Sequence, residues 1–312
     1  MRLAALALAV VACGGANRAT TARPSPARPV TAADRILPLL PDGAQIVVEL
    51  DLARLRANTV VGEVATRALA QLGADSHLPG LPVTTPGSPL ASADVIVFAA
   101  YGVGTPQAAT LTILATHHDV TGGTKLAPDL VALGPEDWIG QLQARATIAG
   151  LSPDGAAPHG KPLAAPDDLM KLRDHAVPPG ATGAILRVTA RLPFDARIEL
   201  ARALGLESAP AQLSLWGDVS DNDLAIMIDA DAADPGDAHA RDAGHRFGTV
   251  LRGALLRAAD LPMIRALGLP GSLADARVIA QGTWVRTIIA VGPRHLARVV
   301  ERANALLAGG PS

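Results

Sequence analysis

His117, His118 and Asp119 stand together at the end of an apolar run and form the chain's tightest set of metal-ligand side chains. Neighbours on a strand point to opposite faces, so two adjacent imidazoles do not converge on one ion. Zinc takes three or four convergent ligands, and no H-E-x-x-H or similar spacing occurs anywhere in the chain. His159 and His175 read as loop residues, and His239 and His245 as residues near a helix start. The pattern predicts solvated histidines and no metal site.

The acidic stretches Asp218–Asp223 and Asp229–Asp237 are oxygen-rich enough to suggest calcium. The first falls where a hairpin must turn, a place Asp and Asn favour for backbone reasons. It also lacks the glycine and terminal glutamate of a calcium loop. The second leads into a helix, whose N-terminal dipole suits acidic residues. Ser272, in LPGSLAD, reads as a loop residue before a strand, and no Gly-x-Ser-x-Gly elbow exists. Gly102 and Gly104 in YGVGTPQ lack the third glycine and the following helix of a dinucleotide fingerprint, and Pro106 intervenes. That segment reads as a hairpin turn, and no cofactor is expected. Glu49 and Asp51 alternate with apolar neighbours on a strand, so they share a face, expected to be the solvated outer one.

Composition narrows the function classes. The chain is 49% hydrophobic and 18% charged, with a formal net charge of -2. That balance fits a globular body and argues against nucleic acid, which calls for a basic face. Aromatics are 2% of the residues, too few for a base- or sugar-stacking platform. Trp138, Trp216 and Trp284 each fall in or beside an apolar run and read as core fillers.

The elements that would position these residues come in duplicate. LVALGPEDWIGQLQARA from Leu130 matches IIAVGPRHLARVVERAN from Ile288: a strand, Gly-Pro, then an amphipathic helix. Proline suits the first helical turn because its missing N–H has no partner there. LPDGAQIVVELDLARL from Leu40 matches VPPGATGAILRVTARL from Val177, a Pro-x-Gly turn before a strand. The two pairs are offset by different distances, so the second copy must hold an insertion. The segment around 238–269, with Phe247, Val250, Leu251, Ala254 and Leu255 along one face, reads as one or two helices. The reading is an α+β fold of two related strand-helix-strand-strand-strand-helix repeats. Their antiparallel sheets would be covered by helices on one face. Repeat one spans 34–150, a Pro- and Gly-rich connector 151–170, repeat two 171–308, and a tail 309–312.

Ahead of the repeats stands MRLAALALAVVACGG, which holds the only cysteine, Cys13. Arg2 is basic and Leu3 to Ala12 is apolar, too short for a transmembrane helix of roughly 20 residues. Val10-Val11-Ala12-Cys13 resembles the bacterial lipobox. The resemblance implies a signal peptide over 1–12, cleavage after Ala12, and acyl chains on Cys13, the new N-terminus. Residues 13–33 are rich in small, polar and proline residues and read as a tether unable to bury apolar surface. Multiple acyl chains anchor stably where one is marginal. By resemblance to Gram-negative lipoproteins, Gly14 rather than Asp after the cysteine points to the outer membrane. The layout as a whole resembles uncharacterised bacterial lipoproteins that carry a duplicated α+β unit behind a tether.

The expected role is that of a lipid-anchored envelope protein that binds or scaffolds an envelope protein or a lipid. The alternatives are an envelope hydrolase whose residues converge only in three dimensions, and a lipid carrier with an apolar cavity. The address is testable directly. Protein purified from its native membrane should have an intact mass that begins at Cys13 and includes acyl chains. The Cys13→Ala variant should lack them; an unmodified native chain removes the anchor.

Overall fold

The computed structural model describes residues 31–75, 92–154, 163–204, 208–220, 222–233 and 240–308. Cys13, the signal segment and most of the expected tether lie outside the described residues. The chain divides at Lys171/Leu172 into two compact units. Both are α+β with antiparallel strands, the class read from the sequence.

The first unit opens with helix α1 (Ala32–Ile36), closed by a capping box. Thr31 Oγ1 accepts from the Asp34 amide at 3.2 Å, and Asp34 Oδ2 accepts from the Thr31 amide at 2.8 Å. The expected tether therefore stops before Ala33, which is buried, as is Ile36. A 3-10 turn (Leu37–Leu39) then leads to strand β1 (Ile46–Asp51). The single helix expected next is two, α2 (Leu52–Ala57) and α3 (Gly62–Asp75). Asn58 breaks it: its Oδ1 accepts from the Val60 and Val61 amides at 2.9 and 3.0 Å, starting a new helix.

Strands β2 (Val95–Tyr101) and β3 (Ala109–Ala115) follow, with YGVGTPQ as their hairpin turn. The short strand β4 (Thr124–Ala127), not visible in the sequence pattern, precedes β5 (Leu130–Leu133) and helix α4 (Glu136–Ile148). The strand order is β4-β5-β3-β2-β1.

Alternation gives this sheet two apolar faces. On one, Val47, Val97, Ala99, Leu111 and Ile113 pack with Ile36, Leu39 and Leu142. On the other, Ile96, Leu114 and Leu133 pack with Leu52, Leu55 and Leu69. Glu49 lies opposite Val97 in the register and is only 5% exposed, so it is not on a solvated outer face as expected. Its strand is covered on that side by the core. Asp51 instead caps α2, its Oδ1 accepting from the Arg54 amide at 2.8 Å.

The second unit repeats this order. Helix α5 (Asp167–His175) begins inside the expected connector, runs across the division between the units and ends just before the Pro-Pro-Gly turn. Then come β6 (Leu186–Arg191), helix α6 (Phe194–Leu204), β7 (Gln212–Ser220) and β8 (Asp223–Asp231). Helices α7 (Ala240–Ala259), α8 (Pro262–Leu267) and α9 (Pro270–Ala274) intervene before the hairpin of β9 (Arg277–Gln281) and β10 (Trp284–Val291). Helix α10 (Pro293–Ala308) closes the unit.

The order β6-β7-β8-β10-β9 matches that of the first unit, with β9 in the place of β4. The turn glycines Gly43 and Gly180 also match, both left-handed with φ of 90° and 82°. In the first unit the β3–β4 connection needs only residues 116–123, whereas α7–α9 fill the same place in the second. Phe247, Leu251 and Leu255 of α7 pack on Ala230, Val278 and Val285, covering one face of this sheet.

The two Gly-Pro glycines are not equivalent. A Cβ at Gly134 would stand 2.6 Å from Leu111 Cδ2 and 2.9 Å from the Thr110 carbonyl, whereas at Gly292 it meets nothing within 4 Å. Chemical denaturation should show Gly134→Ala losing about 1–3 kcal/mol through overpacking. Gly292→Ala should stay within about 0.5 kcal/mol of the parent. Equal losses would mean the close approach at Gly134 is not what holds β5 to β3.

Candidate functional site

The second sheet has a polar face. Thr189, Ser214, Asp229 and Arg286 lie side by side across β6, β7, β8 and β10. Thr189, Ser214 and Asp229 are buried. The end of α5 closes over them. Ser214 Oγ donates to the Arg173 carbonyl at 3.2 Å and accepts from the Ala176 amide at 3.2 Å. It thereby satisfies backbone groups that a helix end leaves without partners. Arg187, also buried, pairs with Asp174 of the same helix at 3.2 Å. Trp216 lies beside Arg187 in the register, and its indole N–H donates to the Gly183 carbonyl at 2.9 Å.

His175 is the last residue of α5 rather than a loop residue, because the helix runs through the whole DDLMKLRDH segment. Its Nδ1 lies 2.8 Å from Asp229 Oδ2. Arg286 grips the same carboxylate from β10, with Nε 2.8 Å from Oδ1 and Nη2 bonded to Oδ2. Nη2 also donates to the His175 carbonyl at 3.0 Å. The hydrogen bonds that the guanidinium donates to Asp229 hold its pKa above the ordinary value. The side chain of Asp229 is 1% exposed, and those of His175 and Arg286 are each 40% exposed. Trp284, expected in the core, instead stacks on the His175 ring with centroids 3.9 Å apart and planes at 16°.

Chemically this is a histidine whose tautomer is fixed. Asp229 Oδ2 accepts the hydrogen bond that Nδ1–H donates, which leaves Nε2 as the ring nitrogen open to another partner. Such a group can serve as a base when a hydroxyl faces Nε2. The serine of the same row, Ser214, is engaged by the α5 backbone instead. The cluster therefore works as a clamp that fastens the end of α5 to β8 and β10. Asp229 belongs to it as a mid-sheet residue, not as part of an acidic run before a helix.

Ser272 sits in helix α9 and is buried, so it is not the loop residue expected; Pro270 starts a short helix there. His295 Nε2 lies 2.6 Å from the Gly268 carbonyl and must donate to it. Its Nδ1 then accepts from the Ser272 hydroxyl at 3.3 Å. This pair ties α8 and α9 to the first turn of α10. Sequence spacing had not connected Ser272 to His295.

The remaining sequence candidates stay apart. His117, His118 and His245 are exposed, and Asp119 is held by Lys125 at 3.0 Å. His159, Asp221, Asp237 and His239 lie outside the described residues. Among the described residues no group of three or more metal-ligating side chains converges, and no helix is long and apolar enough to cross a membrane. Trp138 packs against the first unit's core, as expected, 4.1 Å from the Tyr101 ring.

One concave feature stands on the outside of the second unit. A groove of about 340 Å³ runs along α6, lined by Phe194, Arg197, Ile198, Ala201, Arg202 and Ala209 among others. Phe194 is 67% exposed and Ile198 43%. In the sequence reading α6 is only the helix that follows the first strand of repeat two. A phenylalanine at its first position, out of phase with Ala196 on the buried side, was the one available signal.

No family model and no curated protein matches the chain. Among solved structures, crystal forms I and III of TP0453, a treponemal protein, are similar at 8% and 9% identity. Each comparison covers 86% of this chain, and 96% and 97% of that chain, with TM-scores of 0.40 and 0.41. A likeness of that size carries no argument about function.

The clamp makes a definite stability prediction. Asp229→Ala strands the guanidinium of Arg286 and frees the end of α5. In denaturant titrations it should cost about 3 kcal/mol, the low end for breaking a buried pair, because Arg286 reaches solvent. His175→Asn, which can still donate to Asp229, should cost under about 1.5 kcal/mol. A reversed order would show that the histidine ring, not the carboxylate, holds the site.

Proposed function

We propose that this chain is a lipid-anchored protein of the bacterial cell envelope, at the outer membrane, whose role is binding rather than catalysis. The α6 groove is its docking face. The observation that carries the reading is the pair Phe194 and Ile198, one helical turn apart and both exposed. Apolar surface left in water forgoes about 25 cal/mol for every Å² that burial would release. Side chains of this size on one stripe mark a place that a ligand or partner covers. The polar clusters favour the same reading. Asp229, Ser214 and Ser272 are each engaged by groups of their own unit.

The anchor assigned to Cys13 supplies the second half of the proposal. A tethered body samples partners near its membrane at raised effective concentration. In cells, a photo-crosslinking residue placed at Ile198 should give a discrete adduct. The same residue at Asp260, exposed just after α7, should give none. Equal labelling at both positions would remove the groove as the docking face.

A further inference from the structure

We infer that the α6 groove binds a single-chain amphiphile with an anionic head, such as an alkyl or acyl phosphate. This rests on the reading of the groove as the binding face. Phe194, Ile198 and Ala201 follow at i, i+4 and i+7, so they form one continuous apolar stripe along the helix. Ala209 faces them from the segment that leads into β7. At 100° per residue, Arg197 borders the stripe on one side and Arg202 on the other.

The two arginines differ in what holds them. Arg197 Nε donates to the Ala209 carbonyl at 3.0 Å, which seats its guanidinium at the wall of the groove. Arg202 is exposed and takes no partner among the described residues. Among the described residues, Asp195 borders the Phe194 end of the stripe and Glu199 lies further round the helix, so an anion is favoured at the Ala201 end, beside Arg202. A guanidinium recognises phosphate or carboxylate through charge-assisted, often paired hydrogen bonds.

Size separates the candidate occupants. The groove's 340 Å³ is at the small end of ligand sites, which span roughly 300–1,000 Å³. A partner helix, roughly 10–12 Å across with its side chains, calls for a wider trough. One alkyl chain laid along the Phe194–Ala201 stripe, its head beside Arg202, satisfies both the apolar floor and the cationic rim.

The test is calorimetric titration of the full chain with dodecyl phosphate below its micelle concentration, beside zwitterionic dodecylphosphocholine. Saturable one-site binding is expected for the phosphate, at least about tenfold tighter than for the zwitterion. Arg202→Glu should weaken it about tenfold or more, Arg202→Gln by less, and Ile198→Asp should abolish it. Circular dichroism of each variant should match the parent, since both side chains are at the surface. No saturable binding, equal affinity for both heads, or an unchanged Arg202→Glu variant would overturn the inference. The crosslink at Ile198 separates this failure from that of the parent reading. A protein adduct there with a flat titration overturns the amphiphile and leaves the docking face standing. No adduct and a flat titration overturn both.

Discussion

A carboxylate removed from water must be paired or it destabilises the fold by several kcal/mol. Asp229 is such a carboxylate, and the second unit is arranged around satisfying it. Arg286 reaches it from the adjacent strand and His175 from the end of α5. Through those contacts one acid fixes the last turn of a helix, the pairing face of β8 and β10, and the ring of Trp284. The neighbouring Ser214 completes the closure by binding the helix backbone. This face of the sheet is thus sealed by directional polar contacts, and its chemistry is turned inward.

The same strand order serves two different chemistries in the two units. The first unit is apolar on both faces of its sheet and places helices on each. The second has one apolar face, covered by α7, and one polar face, covered by the end of α5. A period of two along each strand lets the faces diverge independently while the hydrogen-bond ladder stays the same. That is how a duplicated topology can tolerate an insertion as large as α7–α9 in one copy without losing its order.

Against these inward-facing clusters the α6 groove stands out by contrast. Phe194 and Ile198 of its apolar stripe are left exposed, and its cationic rim includes a guanidinium with no described partner. Polar residues that serve stability are satisfied inside the fold; a binding surface keeps part of its capacity unmet until a ligand arrives. The contrast between the Asp229 clamp and the α6 stripe is the physical basis for favouring binding over catalysis.

Local pattern was enough for much of this architecture. Alternation located the longer strands, Gly-Pro and Pro-x-Gly marked equivalent points in the two repeats, and the insertion followed from unequal offsets. These are signals of short range, written in neighbouring residues. Strand β4 was too short to show a period, and Asn58 looked like any residue of a continuous amphipathic run. Glu49 had a polar type but a core position, because which face of β1 is covered depends on helices distant in the chain. His175, Asp229, Trp284 and Arg286 could not be joined in advance, since strand register and the approach of α5 bring them together. The sequence by itself determined the class and the duplication, both set by adjacent residues. Only the tertiary structure decided which polar residues are engaged and which apolar ones are left in water, because burial is a property of packing between distant elements.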